Sequence, residues 1–235
     1  MEERIRTASE MTERLKVDDN VEAVALSPKS RPSPGVETSV LEMLVVVSKM
    51  PFDLDMLGMK KVVVNGSKVV LFHATPERLS TAIDDEAGCW FSSGRILYSE
   101  ILYDQKGIIV GLKKMVNSVP RVRRLAAFDA WFKEAKAFPT IAYQRGITAK
   151  DAPDMILLRD DAALARTLFL LNSRPPRGPS SLMEDVMALG ILPSGMKAIA
   201  DILKGLDRFN LRKFQKARKA YNGLISEVKS LAKTL

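Results

Sequence analysis

The stretch KKVVVNGSKVVLFHATPE, residues 60–77, is compatible with few folds. Two β-branched runs, 60–64 and 68–74, flank Asn65-Gly66, a dipeptide that accepts the positive φ of a two-residue hairpin turn. Directly afterwards Thr75 offers a side-chain oxygen as a helix N-cap. Pro76 suits the first helical position, where no backbone amide is needed. A hairpin that leads straight into a helix belongs to a sheet with helices packed on it, so the segment argues for a mixed α and β chain.

Upstream, residues 2–16 place Ile5, Ala8, Met11 (or Thr12) and Leu15 at helical spacing. VEAVAL, 21–26, and MLVVV, 43–47, are short apolar runs of strand type. Between them lies SPKSRPSPGVET, 27–38, where Pro28, Pro32 and Pro34 forbid a long helix or a central strand. PFDLDMLGM, 51–59, reads as a loop or short helix, and 95–107 as another apolar segment with a turn.

From about residue 108 the periodicity is helical. Helices are expected over 108–117, 121–137, 151–172, 180–189, 194–205 and 208–233, with Pro120 and the SRPPRGP loop (173–179) as breaks. In 121–137 the inward side chains are expected to be Leu125, Phe128, Ala135 and either Trp131 or Phe132. The net charge of +8 follows the same division: residues 1–110 carry 13 basic and 17 acidic side chains, residues 111–235 carry 23 and 11. The expected architecture is therefore α+β. A mixed sheet flanked by helices occupies 1–110, and an all-helical, basic domain occupies 111–235.

Several functional classes are disfavoured. No apolar stretch approaches the ~20 residues that span a bilayer, so no membrane partner is expected. The charged N-terminal segment has no apolar core of secretory type, which makes the cytoplasm the expected location. With one cysteine, Cys89, and one histidine, His73, neither an internal disulfide nor a Cys/His zinc site can form within the chain. Cys89 beside Trp90 and Phe91 reads as a small buried hydrophobe, and His73 as a hydrogen-bonded strand residue.

The order of elements carries more information than any one motif. A helix, a strand, a loop, a second strand with a carboxylate at its mouth, a hairpin ending in Thr75-Pro76-Glu77 and a helical second half together resemble the DNA-polymerase-β-type nucleotidyltransferase superfamily. Small enzymes of the aminoglycoside-nucleotidyltransferase type are the nearest likeness, and LLNSRPPRGPSSLMEDV is similar to a loop and helix of their C-terminal domains. The resemblance implies a Gly-Ser turn after the first strand, where backbone amides cradle a triphosphate. It also implies an Asp-x-Asp on the second strand, whose period of two points both carboxylates the same way to hold magnesium. A third carboxylate on the following hairpin completes such a site.

This sequence departs from that pattern at each point. Ser27-Pro28 stands where Gly-Ser is implied, and proline lacks the amide donor. The register of the strands puts Val40 and Glu42 at the paired-acid positions and Val70 at the third. Glu42 is thus the one metal-ligand and catalytic candidate left at its implied position; Asp53 and Asp55 form a second D-x-D that serves if the register is displaced. Ser27, Lys29 and Arg31 are the phosphate-contacting candidates in the first loop. Arg121 and Arg124 open a helix against the preference of its dipole for acids, and Arg212, Lys213 and Lys216 lie on a basic amphipathic helix; both are candidate polyanion contacts. The expectation is a nucleotidyltransferase-like protein of degenerate chemistry that binds a nucleotide, a nucleic acid or a protein. An active metal-dependent transferase and a basic nucleic-acid scaffold are the alternatives. No cofactor is expected unless the enzyme is active, in which case magnesium is.

Overall fold

The computed structural model describes residues 2–28, 40–51, 58–144, 163–178, 181–196 and 211–233. The chain divides into two units, the first made of Met1–Val119 with Arg177–Ser181, the second of Pro120–Pro176 with Leu182–Leu235.

The first unit is built on strands β1 (Val21–Leu26), β2 (Leu41–Val47), β3 (Met59–Val64), β4 (Ser67–Ala74) and β5 (Glu100–Asp104). They form one sheet in the order β3-β4-β2-β1-β5. Only β2 and β4 run parallel; the other neighbours are antiparallel, so the sheet is mixed. Asn65 (φ 50°) and Gly66 (φ 77°) form the turn of the β3–β4 hairpin; β3 lies at the sheet edge and β4 pairs with β2.

Alternation along the strands sorts the two faces. Leu41, Met43, Val45 and Val47 join Val69 and Leu71 in an apolar cluster with Ala8 of α1 (Glu2–Leu15), against which Met11 and Leu15 pack. The intervening residues of β2 lie on the other face, and beyond Glu42 they too are buried: Leu44 and Val46. A central strand buried on both sides needs a continuous apolar run, which is why residues 43–47 do not alternate with polar ones.

Thr75 caps α2 (Pro76–Asp85) as expected: its Oγ1 accepts the Arg78 amide at 3.4 Å. The segment 95–107 differs from its expectation. Residues Phe91–Leu97 form a short helix, α3, and only then does β5 begin. The Glu86 side chain drives this by accepting the Ser92 and Ser93 amides at 3.0 and 2.8 Å and the Ser93 hydroxyl at 2.8 Å. Asp104 serves α4 (Ile108–Ser118) in the same way, taking the amides of Ile108, Ile109 and Val110.

In the second unit every described regular element is helical: α5 (Arg121–Gln144), α6 (Ala163–Leu171), α7 (Leu182–Met187) and α8 (Leu211–Ala232). The expectations for 151–162 and 201–210 lie outside the described residues. Leu164, Leu168 and Phe169 of α6 are fully buried. On α5, Phe128 and Ala135 face inward as expected, but Leu125 is exposed, because the buried stripe begins one turn later. Trp131 and Phe132 are both half-buried: Phe132 stacks on Phe128, and Trp131 lies under the Arg166 guanidinium. The Tyr221 hydroxyl of α8 donates to the Ala135 carbonyl at 2.8 Å.

Candidate functional site

Two strands position the candidate site. In the parallel β2–β4 pair, Glu42 stands in register with Val70 and Leu44 with Phe72, so Glu42, Val70 and Phe72 share one face. This is the neighbouring-strand arrangement expected of Glu42 and Val70. Val40, just before β2, is 41% exposed.

A residue that the sequence reading passed over lies against these side chains. Arg95 of α3 places an Nη 3.9 Å from Glu42 Oε2, with the two side chains 27% and 34% exposed. Its guanidinium carbon sits 3.8 Å from the centre of the Phe72 ring. At 3.9 Å the charges attract without a hydrogen bond. Among the described residues no hydrogen bond reaches either the Glu42 carboxylate or the Arg95 guanidinium. A stack of this kind contributes about 0.5–2 kcal/mol according to its desolvation. Burial lowers the Arg95 pKa from its usual range; Glu42, and then Glu86, act in the opposite direction.

Arginine therefore supplies a positive charge beside the carboxylate. Two magnesium ions on a triphosphate require several oxygen ligands. Here one carboxylate faces a cation, with a valine as its strand neighbour. Among the described residues no group of three His, Cys, Asp or Glu side chains could hold a metal ion. The residues described here do not fit a magnesium pair.

The other candidates are dispersed. Ser27 is 3% exposed, and its amide donates to the Glu42 carbonyl at 2.9 Å, which extends the β1–β2 ladder. With that amide engaged and Pro28 having none, neither of these two residues offers a backbone donor to a phosphate. Lys29, Arg31, Asp53 and Asp55 lie outside the described residues. Arg121 is exposed and Arg124 half-buried at the start of α5. Arg212, Lys213 and Lys216 lie on α8 as expected, with only their backbone described.

His73 and Cys89 are buried, as their sequence context suggested. His73 points to the α1 face, where it borders a half-open cavity of about 360 Å³ lined by Met11, Leu15, Val62 and Leu71. Arg95 could have been noticed from its surroundings: a lone arginine in FSSGRIL, after a serine pair able to start a helix and nine residues beyond Glu86. What the sequence does not encode locally is that this helix brings the arginine over β2.

No family model and no curated protein matches this chain. A solved structure of a nucleotidyltransferase-like protein from Exiguobacterium sibiricum aligns with 96% of this chain and 74% of its own, at 15% identity and a TM-score of 0.47. So remote a likeness carries no argument about chemistry or partners.

Proposed function

We propose that this chain is a nucleotidyltransferase-like protein whose transfer chemistry is lost and which acts by binding, with the sheet face around Glu42 as its nucleotide-facing surface. The observation that carries the reading is the surroundings of Glu42. It is in register with Val70 and faces Arg95, so an internal cation and an aliphatic side chain stand where the resemblance implies metal and acid. A carboxylate with a cation of its own chain beside it is a weaker magnesium ligand, because the ion must approach a tethered positive charge.

Pyrophosphate release tests this directly. With magnesium or manganese and each nucleoside triphosphate, no release above background is expected. Release that disappears in Glu42→Ala would overturn the reading in favour of an active transferase. Release that disappears only in Asp53→Ala or Asp55→Ala would assign the chemistry to the second D-x-D.

The start of α5 favours a second reading, nucleic-acid binding by the helical unit. Arg121 is exposed there and is followed by Val122, 73% exposed, so a cation and an apolar side chain are presented together. Neither reading involves a membrane, and among the described residues no helix is long and apolar enough to cross one.

A further inference from the structure

Glu42 and Arg95 stand close enough to be engaged by one ligand, and both side chains are part-exposed. The carboxylate can accept on two oxygens and the guanidinium can donate from five N–H bonds, yet the two are 3.9 Å apart and do not bond each other. A direct N–H···O bond closes at ~2.9 Å. The extra separation suits a ligand that presents an N–H to Glu42 and, on the adjacent atom, a carbonyl oxygen to Arg95. A lactam edge, H–N–C=O within a ring, has this order.

Among nucleobases, guanine matches best. Its N1–H and N2–H lie side by side and can donate to both carboxylate oxygens, while O6, next to N1, accepts from the arginine. Adenine turns the N1 lone pair toward the carboxylate, and cytosine its N3 lone pair. Uracil has the lactam edge but sets its second carbonyl against the second carboxylate oxygen. Val70, half-buried beside Glu42, supplies apolar surface next to the carboxylate, and Phe72, two residues further along the same face, holds the Arg95 guanidinium over its ring.

We propose that Glu42 and Arg95, with Val70 beside them and Phe72 positioning the arginine, form a metal-independent recognition site for the lactam edge of guanine. The proposal rests on the reading of the sheet face around Glu42 as a nucleotide-facing, non-catalytic surface. It goes beyond that reading in naming the ligand chemistry and in giving Arg95 a ligand of its own.

The test is calorimetric titration of the full chain, in excess chelator, with GMP, IMP, AMP, CMP and UMP. GMP is expected to bind at least about tenfold more tightly than AMP, CMP or UMP, as a bidentate carboxylate–base contact discriminates. IMP, which keeps the lactam but lacks the 2-amino group, is expected between them. Glu42→Gln replaces one acceptor with a donor and should abolish the preference. Arg95→Met keeps a chain over Phe72 without the O6 donor and should reduce it. Far-UV circular dichroism checks that both variants fold. Equal affinity for all five nucleotides, a preference that survives Glu42→Gln, or no binding of any nucleotide overturns the proposal. Single-stranded RNA tetramers with and without guanine identify the source of the base. Tighter binding of the guanine tetramer than of GMP assigns a nucleic acid, and the reverse a free nucleotide. Pyrophosphate release reports separately on the loss of transfer chemistry. Silence there with no guanine preference removes this inference alone, whereas turnover removes the reading beneath it.

Discussion

Glu42 and Val70 face each other across two parallel strands, a carboxylate beside an aliphatic side chain in the same register. The local electrostatics follow from that pairing. With valine opposite it, Glu42 has Arg95 as its countercharge among the described residues.

The Glu42–Arg95 pair is expected to contribute little to stability. A 3.9 Å separation and exposures of 34% and 27% place it with solvent-screened ion pairs, worth about 0–1 kcal/mol. Arg95→Ala should cost more than the pair itself, about 1–2 kcal/mol in total, because it also removes the stack on Phe72. A double-mutant cycle of Glu42→Gln and Arg95→Ala in urea unfolding separates the two contributions. A coupling energy well above ~1 kcal/mol would contradict the screened-pair assignment.

Tyr221 makes the second unit sensitive to alkali. Burial raises its phenol pKa above the ordinary value of 10.0, and its hydroxyl donates to the Ala135 carbonyl at 2.8 Å. The folded state therefore keeps a proton that the unfolded chain releases. Stability is full below about pH 10 and declines as pH rises past it. Tyr221→Phe should cost about 1–2 kcal/mol at neutral pH by leaving the carbonyl unpaired, and should remove this tyrosine's part of the alkaline decline. Chemical denaturation of both proteins between pH 8 and 11 checks both statements.

Gly88 and Gly66 should respond differently to the same substitution. Both have positive φ, at 70° and 77°. A Cβ on Gly88 would lie 2.8 Å from Val119 Cγ2 and 3.0 Å from the Val116 carbonyl oxygen, whereas one on Gly66 would meet nothing within 4 Å. Gly66→Ala should cost about 1–2 kcal/mol from the backbone alone. Gly88→Ala should cost about 2–5 kcal/mol, since overpacking adds to the same backbone term. Thermal unfolding midpoints should rank Gly66→Ala above Gly88→Ala.

If the helical unit binds nucleic acid, its affinity should fall steeply with salt, with each phosphate contact contributing about one unit of log–log slope. Reversal of Arg212, Lys213, Lys216 and Lys219 to Glu is expected to weaken binding by orders of magnitude and to leave folding intact, since the buried residues of α8, such as Tyr221, Leu224 and Val228, are unaltered. Fluorescence anisotropy with mixed RNA and DNA oligomers at low salt measures both. Binding unchanged by the four reversals would assign these charges to solvation alone.

The parts of the fold that local chemistry determines were legible in the sequence. Asn65-Gly66, Thr75-Pro76 and the apolar run after Glu42 each have a cause within a few residues, and the structure has the turn, the cap and the central strand there. α3 was not legible, because it depends on Glu86 reaching forward to Ser92 and Ser93. The site divides in the same way. The placing of Glu42 and Val70 on neighbouring strands was what the resemblance implied, while Arg95 reaches Glu42 through tertiary packing that no periodicity reports.

The anchoring of α3 separates two properties that often share residues. Arg95 rides on a helix of seven residues whose first amides are held by the single carboxylate of Glu86. The strands beneath are joined by their own ladder and, on the α1 face, by apolar contacts that do not involve α3. Substitution at Glu86 would thus shift the charge above Glu42 without disturbing the sheet's own pairing. Mutation can vary the electrostatic character of the surface around Glu42 at a position 44 residues further along the chain, while the scaffold retains its register.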